Sequence, residues 1–335
     1  MAVVGKRKRG NNATKGKARK RVDCKQQQQP KQKGGVKIDV PALLDSLKHE
    51  GRLLGEGGYG KVYEYKLGAY GKVAIKVIRR QSDEKDQELL REVQMLSALG
   101  KNRQCSQYVV HLMAHYITAE YMVIVMKLVE GQSLYDYMQM SGAWVYGMTA
   151  EWRRTAAKLM HAVYCLHRAG VVHADVKDDN VMRLSNGSLV LIDFGLACKV
   201  GGAAAAGALA CKADVNAGAY AFMSPERIDA FNYGPHVPKS AAERNVMYKA
   251  NDYWAIGIIM YRGATRRDPP FLRSKSGRSK QPRELGKAIH TALAMPTEKL
   301  LAEIEHPEQY RILETLFTRD PRERLRLCEA MARRS

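Results

Sequence analysis

Asp175, Lys177 and Asn180 fall within one short stretch, His173-Ala174-Asp175-Val176-Lys177-Asp178-Asp179-Asn180, and Asp193 follows thirteen residues after Asn180 in Asp193-Phe194-Gly195. Each stretch comes at the end of an apolar run, Val171-Val172 in one case and residues 189–192 in the other. These residue types at this spacing suit in-line phosphoryl transfer. One carboxylate can orient or deprotonate a hydroxyl, an ammonium can neutralise the moving group, and an amide with a second carboxylate can hold Mg²⁺. Taken singly, each residue is ordinary loop polarity; the joint spacing carries the reading.

Other elements must position that set. Gly55-Glu56-Gly57-Gly58-Tyr59-Gly60-Lys61-Val62 is a Gly-x-Gly-x-x-Gly-x-Val pattern between β-prone segments. Glycines let a hairpin turn lie close over phosphates with backbone N–H groups free to meet the oxygens. Alone the pattern also marks dinucleotide-binding folds, where the glycines open a helix. Here Val62-Tyr63-Glu64-Tyr65 continues as a strand and Val73-Ala74-Ile75-Lys76 forms another, so a hairpin is predicted, followed by a strand that ends in lysine. Residues 83–99 read as a helix from the spacing of Leu89, Val93, Leu96 and Leu99, and Glu88 or Glu92, four apart, can face Lys76. An apolar run at 121–126 leads into Lys127-Leu128-Val129-Glu130-Gly131. A further helix is predicted from about 150 to 169, capped by Thr149, burying Leu159, Val163 and Leu166 and stopping at Gly170.

In order and rough spacing, these stretches resemble the eukaryotic protein kinase family. Three later stretches extend the likeness: Met223-Ser224-Pro225-Glu226, Asn251-Asp252-Tyr253-Trp254-Ala255-Ile256-Gly257, and Asp320-Pro321-Arg322-Glu323-Arg324. The resemblance covers about residues 51–330. It implies an α+β bilobal fold, with a small mainly β N-lobe carrying helix C (about 51–126), a hinge (127–131) and a larger mainly α C-lobe (about 132–330), all within a kinase domain at 38–330. It implies ATP as phosphoryl donor, Mg²⁺, and protein hydroxyls as acceptors. Lys177, two residues after the base, favours the serine/threonine class.

The roles it implies are specific. Asp175 is the base or orienter and Lys177 steadies the transferring group. Lys76, paired with Glu92, aligns the phosphates; Asn180 and Asp193 hold the metal. Gly55, Gly57, Gly58 and Gly60 cover the phosphates, while Val62, Ala74, Met126 as gatekeeper, Lys127, Val129 and Met182 surround the adenine. Asp252 is expected to bond the catalytic-loop backbone, and Arg324 to pair with Glu226.

The chain also departs from the family pattern. Lys127 opens the hinge where an acid is more usual, and Ala174 stands where most regulated kinases carry an arginine before the catalytic aspartate. Ala219 replaces a threonine that bridges base and lysine. Residues 201–213 are nearly all alanine and glycine, and between Asp193 and Glu226 the only hydroxyl residues are Tyr220 and Ser224. With receptor arginine and phosphate acceptor both gone, the enzyme is expected to work without activation-segment phosphorylation. The alternative is a pseudokinase scaffold that binds ATP or partners without turnover.

Composition sets the outer limits. At 335 residues and 45% hydrophobic, the chain can build a two-lobed core. Its net charge of +21 is concentrated in residues 1–37, which hold 13 Lys and Arg against one acid, Asp23. That Lys/Arg/Gln/Gly-rich tail is predicted to be disordered. Its clusters at 6–9 and 17–21 resemble a bipartite nuclear import signal, which makes an import receptor a partner and a nuclear or nucleocytoplasmic location the expectation. Non-specific nucleic-acid contact and a merely solvating tail are the alternatives. The six cysteines show neither close pairing nor metal-ligand spacing, so a reduced intracellular protein is the expectation. Neither a run of 18 apolar residues nor an apolar signal core occurs, which predicts no membrane span and no secretion.

Overall fold

The computed structural model describes residues 38–57, 60–80, 83–140, 149–201, 209–211, 218–231, 238–273 and 296–334. The basic tail, Gly58 and most of the alanine–glycine stretch lie outside these residues, as do the side chains of Glu88 and Thr149.

The N-lobe is a five-stranded antiparallel sheet in the order β1-β2-β3-β5-β4, made by Arg52–Gly57, Gly60–Lys66, Lys72–Arg79, Leu112–Ile117 (β4) and Tyr121–Lys127 (β5). Strand β3 reads Lys-Val-Ala-Ile-Lys-Val-Ile-Arg and is buried on both faces. Because successive side chains alternate, its two faces serve different neighbours. Val73 and Ile75, with Val123 and Val125 of β5, pack under helix α1 (Val40–Glu50). Ala74, Lys76 and Ile78 face the other way.

Helix α1 has no counterpart among the sequence expectations. Asp39 caps it by accepting from the Ala42 N–H at 3.2 Å, Pro41 lies in its first turn, and Val40, Leu43 and Leu47 bury against the sheet. Without that cover the outer face would leave four β-branched core residues open to water.

Helix α2 (Asp83–Lys101) crosses the inner side of the sheet and buries Val93, Met95, Leu96 and Leu99. Beyond β5 the chain forms β6 (Gly131–Ser133) and α3 (Leu134–Met140). The helical C-lobe is organised around α4 (Thr149–Arg168) and the 25-residue α6 (Ala241–Thr265). Helix α4 starts at Thr149 itself, one residue before the predicted start, and its residues Leu159, Val163 and Leu166 are fully buried. Helix α6, capped by Ser240, is buried all round from Ala250 to Tyr261: Tyr253, Trp254, Ile256 and Ile258 through Tyr261 are all inaccessible. A helix hydrophobic all round is a core element. Gly257 lets it approach its neighbours, since a Cβ there would come within 2.8 Å of the Phe317 ring. Among the described residues, helices α5 (Pro225–Phe231), α7 (Thr297–Leu300), α8 (Pro307–Leu316) and α9 (Pro321–Ala332) make up the rest of the lobe. The fold is α+β and bilobal.

The cysteine expectation needs correction. Cys105 is bonded to Cys165 and Cys198 to Cys211, with Cα separations of 5.6 and 4.9 Å. These pairs are 60 and 13 residues apart in sequence, and tertiary packing, which spacing rules do not see, brings them together. Cys328 is free and buried, and burial pushes its thiol up to about 12.

Candidate active site

Strand register builds the roof. Val62 pairs with Lys76, Lys76 with Ile124, and Ala74 with Met126, so Val62, Ala74, Lys76 and Met126 share the inner face. Gly55 lies opposite Val62 and Gly57 opposite Gly60, so at these two positions that face of β1 carries no side chain. Gly60 itself has φ +109, and a Cβ there would collide with the Val77 carbonyl oxygen. The backbone of Gly55 and Gly57 is open to a ligand beneath it.

From that face Lys76 reaches both lobes. Its Nζ lies 2.8 Å from Glu92 Oε2 on α2 and 2.9 Å from Asp193 Oδ1. Burial works to lower the Lys76 ammonium, but the two carboxylates outweigh it and hold it above its ordinary value, so it stays charged. Burial raises the Glu92 carboxyl against the pull of Lys76. Asp193 goes the other way: burial would raise it, yet the charge and hydrogen bond of Lys76 hold it below the usual aspartate value. Of the two acids that sequence spacing allows as partner, Glu92 is in contact, and the Glu88 side chain lies outside the described residues.

The floor hangs from Asp252. Its carboxylate, inaccessible within α6, accepts from the N–H of His173 at 3.1 Å and of Ala174 at 3.0 Å, and lies 2.9 Å from His167 Nε2. These bonds hold the chain just after β7 (Val171–Val172), where Ala174 takes φ 65, a left-handed conformation that costs an alanine of order 1–2 kcal/mol. Arg227 Nη1 adds a 2.6 Å bond to the Ala174 carbonyl. The next residue is thereby aimed. Asp175 Oδ2 receives Lys177 Nζ at 3.0 Å and Asn180 Nδ2 at 3.1 Å, while Oδ1 receives the Ala219 N–H at 3.0 Å.

Asp193, also in a left-handed conformation at φ 60, is brought alongside by the strands β8 (Val181–Leu184) and β9 (Leu189–Leu191). The Ile192 N–H bonds the Asn180 carbonyl at 3.0 Å. The His173 ring packs at a tilt against Phe194 with centroids 4.8 Å apart; its Nδ1 accepts from the Asp175 N–H, which leaves Nε2 to donate to the Ile192 carbonyl. Arg324, with an inaccessible side chain, pairs with Glu226 and so ties α9 to the start of α5.

A model of the protein kinase domain matches residues 48–334. The chain belongs to the eukaryotic-type protein kinase family. It is 30% identical over 297 residues to the hormonally up-regulated neu tumor-associated kinase homolog of Xenopus tropicalis, covering 85% of this chain and 36% of that protein. It is 28% identical over 251 residues to serine/threonine-protein kinase 33 of Mus musculus (71% and 45%), and 27% identical over 220 residues to the serine/threonine-protein kinase STE20 of Kluyveromyces lactis (65% and 19%). The chain thus spans less than half the length of these relatives.

Within this kinase domain the residues expected around adenine are less tightly defined than the charged set. Val62, Ala74, Met126, Val129 and Met182 all belong to the apolar cluster that runs between the lobes. The Lys127 N–H is already given to the His111 carbonyl at 2.9 Å and cannot also serve adenine, a contact that lies beyond sequence inspection. Sequence reading also missed Arg227 and the buried Asp178, which pairs with Arg262 at 3.0 Å below the catalytic loop. Arg227 follows Glu226 directly, but nothing local distinguishes it from a surface arginine.

Proposed function

We propose that this chain is an active serine/threonine protein kinase that moves the γ-phosphoryl group of ATP to a protein hydroxyl. One observation carries the reading. A single lysine, Lys76, joins Glu92 and Asp193, while Asp175 is gripped by Lys177, Asn180 and the Ala219 N–H. The two charged clusters that phosphoryl transfer needs are therefore both assembled.

In this reading Asp175 orients the acceptor hydroxyl and takes its proton as the oxygen bonds to phosphorus and the bond to ADP breaks. Lys177 offsets charge on the transferring group, and Lys76 aligns the donor phosphates. Mg²⁺ favours oxygen donors and completes its shell with water and phosphate oxygens, so two protein ligands suffice. Asp193 and Asn180 fit that need: both are oxygen donors, and Asp193 is held ionised by Lys76. When bound, the ion would neutralise phosphate charge there. The names of the serine/threonine-specific relatives support the acceptor class, and the missing phosphate receptor at Ala174 supports activity without activation-segment phosphorylation.

We also assign residues 1–37 to a basic tail that engages an import receptor, with non-specific nucleic-acid contact as its other use, and 38–330 to the kinase domain. No helix among the described residues is long and apolar enough to cross a membrane. Transfer of radiolabelled phosphate to generic protein substrates tests the activity: wild type should label them and Asp193→Ala should not. A folded wild type that binds ATP and never transfers would be a scaffold instead. A bulky reporter fused with and without residues 1–37 tests the tail; nuclear accumulation of both forms would overturn that assignment.

A further inference from the structure

Cys198 and Cys211 are disulfide-bonded in the segment that follows Asp193-Phe194-Gly195. Neither belongs to the phosphoryl-transfer set, yet both are tied to it. Cys198 opens β10 (Cys198–Lys199) and sits opposite Val172 of β7, the strand that runs straight into His173, Ala174 and Asp175. On the other side, the Lys199 N–H donates to the Leu209 carbonyl at 2.7 Å, and Lys199 bridges to Ala210. The cross-link thus fastens residues 209–211 to the strand pair that delivers the base.

The surroundings are mainly apolar. Val172, Ala174, Val200, Ala230, Met247 and Tyr248 form one buried cluster with the two cysteines, which are 2% and 6% exposed, and the Lys199 carbonyl oxygen lies 3.7 Å from Cys211 Sγ. Ala174, which stands where a phosphate-binding arginine was expected, contributes a methyl group to this cluster. A phosphate orders such a segment by pairing its charge with arginine. Here a covalent bond ties residues 198 and 211 within the apolar cluster that includes Ala174, the residue before Asp175.

We propose that the Cys198–Cys211 dithiol is a reversible oxidation site, and that its disulfide, instead of a phosphate, holds the activation segment against the catalytic loop. The effect on turnover rests on the kinase reading above; the ordering of the segment does not. With hydrogen peroxide as oxidant, one thiolate attacks a peroxide oxygen, the O–O bond breaks, and a sulfenic acid forms as hydroxide leaves. The second thiolate attacks that sulfur, the S–O bond breaks, and the oxygen leaves as hydroxide, both hydroxides collecting the two thiol protons as water. Two electrons have passed from the sulfurs to the peroxide. An oxidised glutathione-type disulfide does the same by exchange. The Cys105–Cys165 pair, which joins the chain after α2 to α4, supplies an internal control.

The test uses the full chain, purified without reductant, alkylated and peptide-mapped. Hydrogen exchange over 196–200 and 209–211 and turnover of a protein substrate are then followed through dithiothreitol reduction and re-oxidation with oxidised glutathione. Reduction should speed exchange of the Lys199 amide and lower kcat/KM, each by about tenfold or more, and re-oxidation should reverse both. A Cys105→Ser/Cys165→Ser variant should still respond, and a Cys198→Ser/Cys211→Ser variant should not; if a variant fails to fold, the wild-type redox cycle decides alone. Free thiols at both positions after oxidation would overturn the proposal, as would a cross-link whose loss leaves exchange unchanged. A protein inactive in both redox states whose exchange still responds would sink the active-kinase reading and support the tether. An active protein whose exchange and turnover ignore redox state would do the reverse.

Discussion

The Asp175 carboxylate accepts a hydrogen bond from the backbone N–H of Ala219 at 3.0 Å, across 44 residues of sequence. The family pattern places a threonine at this position to bridge base and lysine. In this chain the main chain itself reaches Asp175, so the alanine does not leave that carboxylate untied on that side.

That contact can be removed. Ala219 has φ −77, within the range of proline, so Ala219→Pro replaces the N–H with a ring carbon set against the Asp175 carboxylate. A hydrogen bond to a charged group contributes about 1.5–3 kcal/mol, so kcat should fall roughly 10- to 100-fold. Ala219→Ser, which keeps the N–H, should stay near wild type. Equal activity in the proline and serine variants, both folded, would show that the amide does not position the base.

The ion pair under the roof sets the acid limb. Burial raises Glu92 above its ordinary value of 4.5, whereas Lys76 depresses Asp193, so Glu92 takes its proton first as pH falls. The stability signs are opposite. A raised carboxyl makes the folded state bind its proton more readily, so through that window Glu92 adds stability as pH falls. Asp193 contributes stability present above the ordinary aspartate value and lost as pH falls through its depressed one. Activity should therefore fail at a higher pH than the fold. A kcat profile run beside thermal melts checks this; activity and fold lost together below 4.5 would contradict it.

Glu226 and Arg324 anchor the end of the activation segment. Arg324 is inaccessible and also donates to the carbonyls of Ala250 at 3.1 Å and Thr318 at 2.6 Å. Glu226→Ala leaves a buried guanidinium without its counter-charge, a loss of about 3–5 kcal/mol. Denaturant unfolding should show a shift of that size. A shift under about 1 kcal/mol is what an exposed pair gives, and would mean the anchor lies elsewhere.

Much of the charged site was legible because its members recur at short, fixed spacing around apolar runs. Asp175, Lys177 and Asn180 share one loop, and Asp193 closes the next hairpin. Glu92 was harder, since helical spacing allowed Glu88 equally and only the family likeness chose between them. What stayed hidden depends on contacts between distant segments. Arg227 meets the Ala174 carbonyl from 53 residues away, and Cys105 meets Cys165 from 60. Neither leaves a local pattern. Helix α1 is a different failure: Asp39, Pro41 and the Leu43/Leu47 spacing were readable signals of a helix start and an apolar face.

The most direct test of the central claim is phosphoryl transfer from radiolabelled ATP by wild type, Asp175→Asn and Lys76→Met, each first shown to be folded. Wild type should transfer, Asp175→Asn should lose roughly 10²-fold or more in kcat, and Lys76→Met should lose turnover beyond any change in ATP affinity. Asp175→Asn turning over like wild type, or a folded wild type that transfers nothing, would contradict the account.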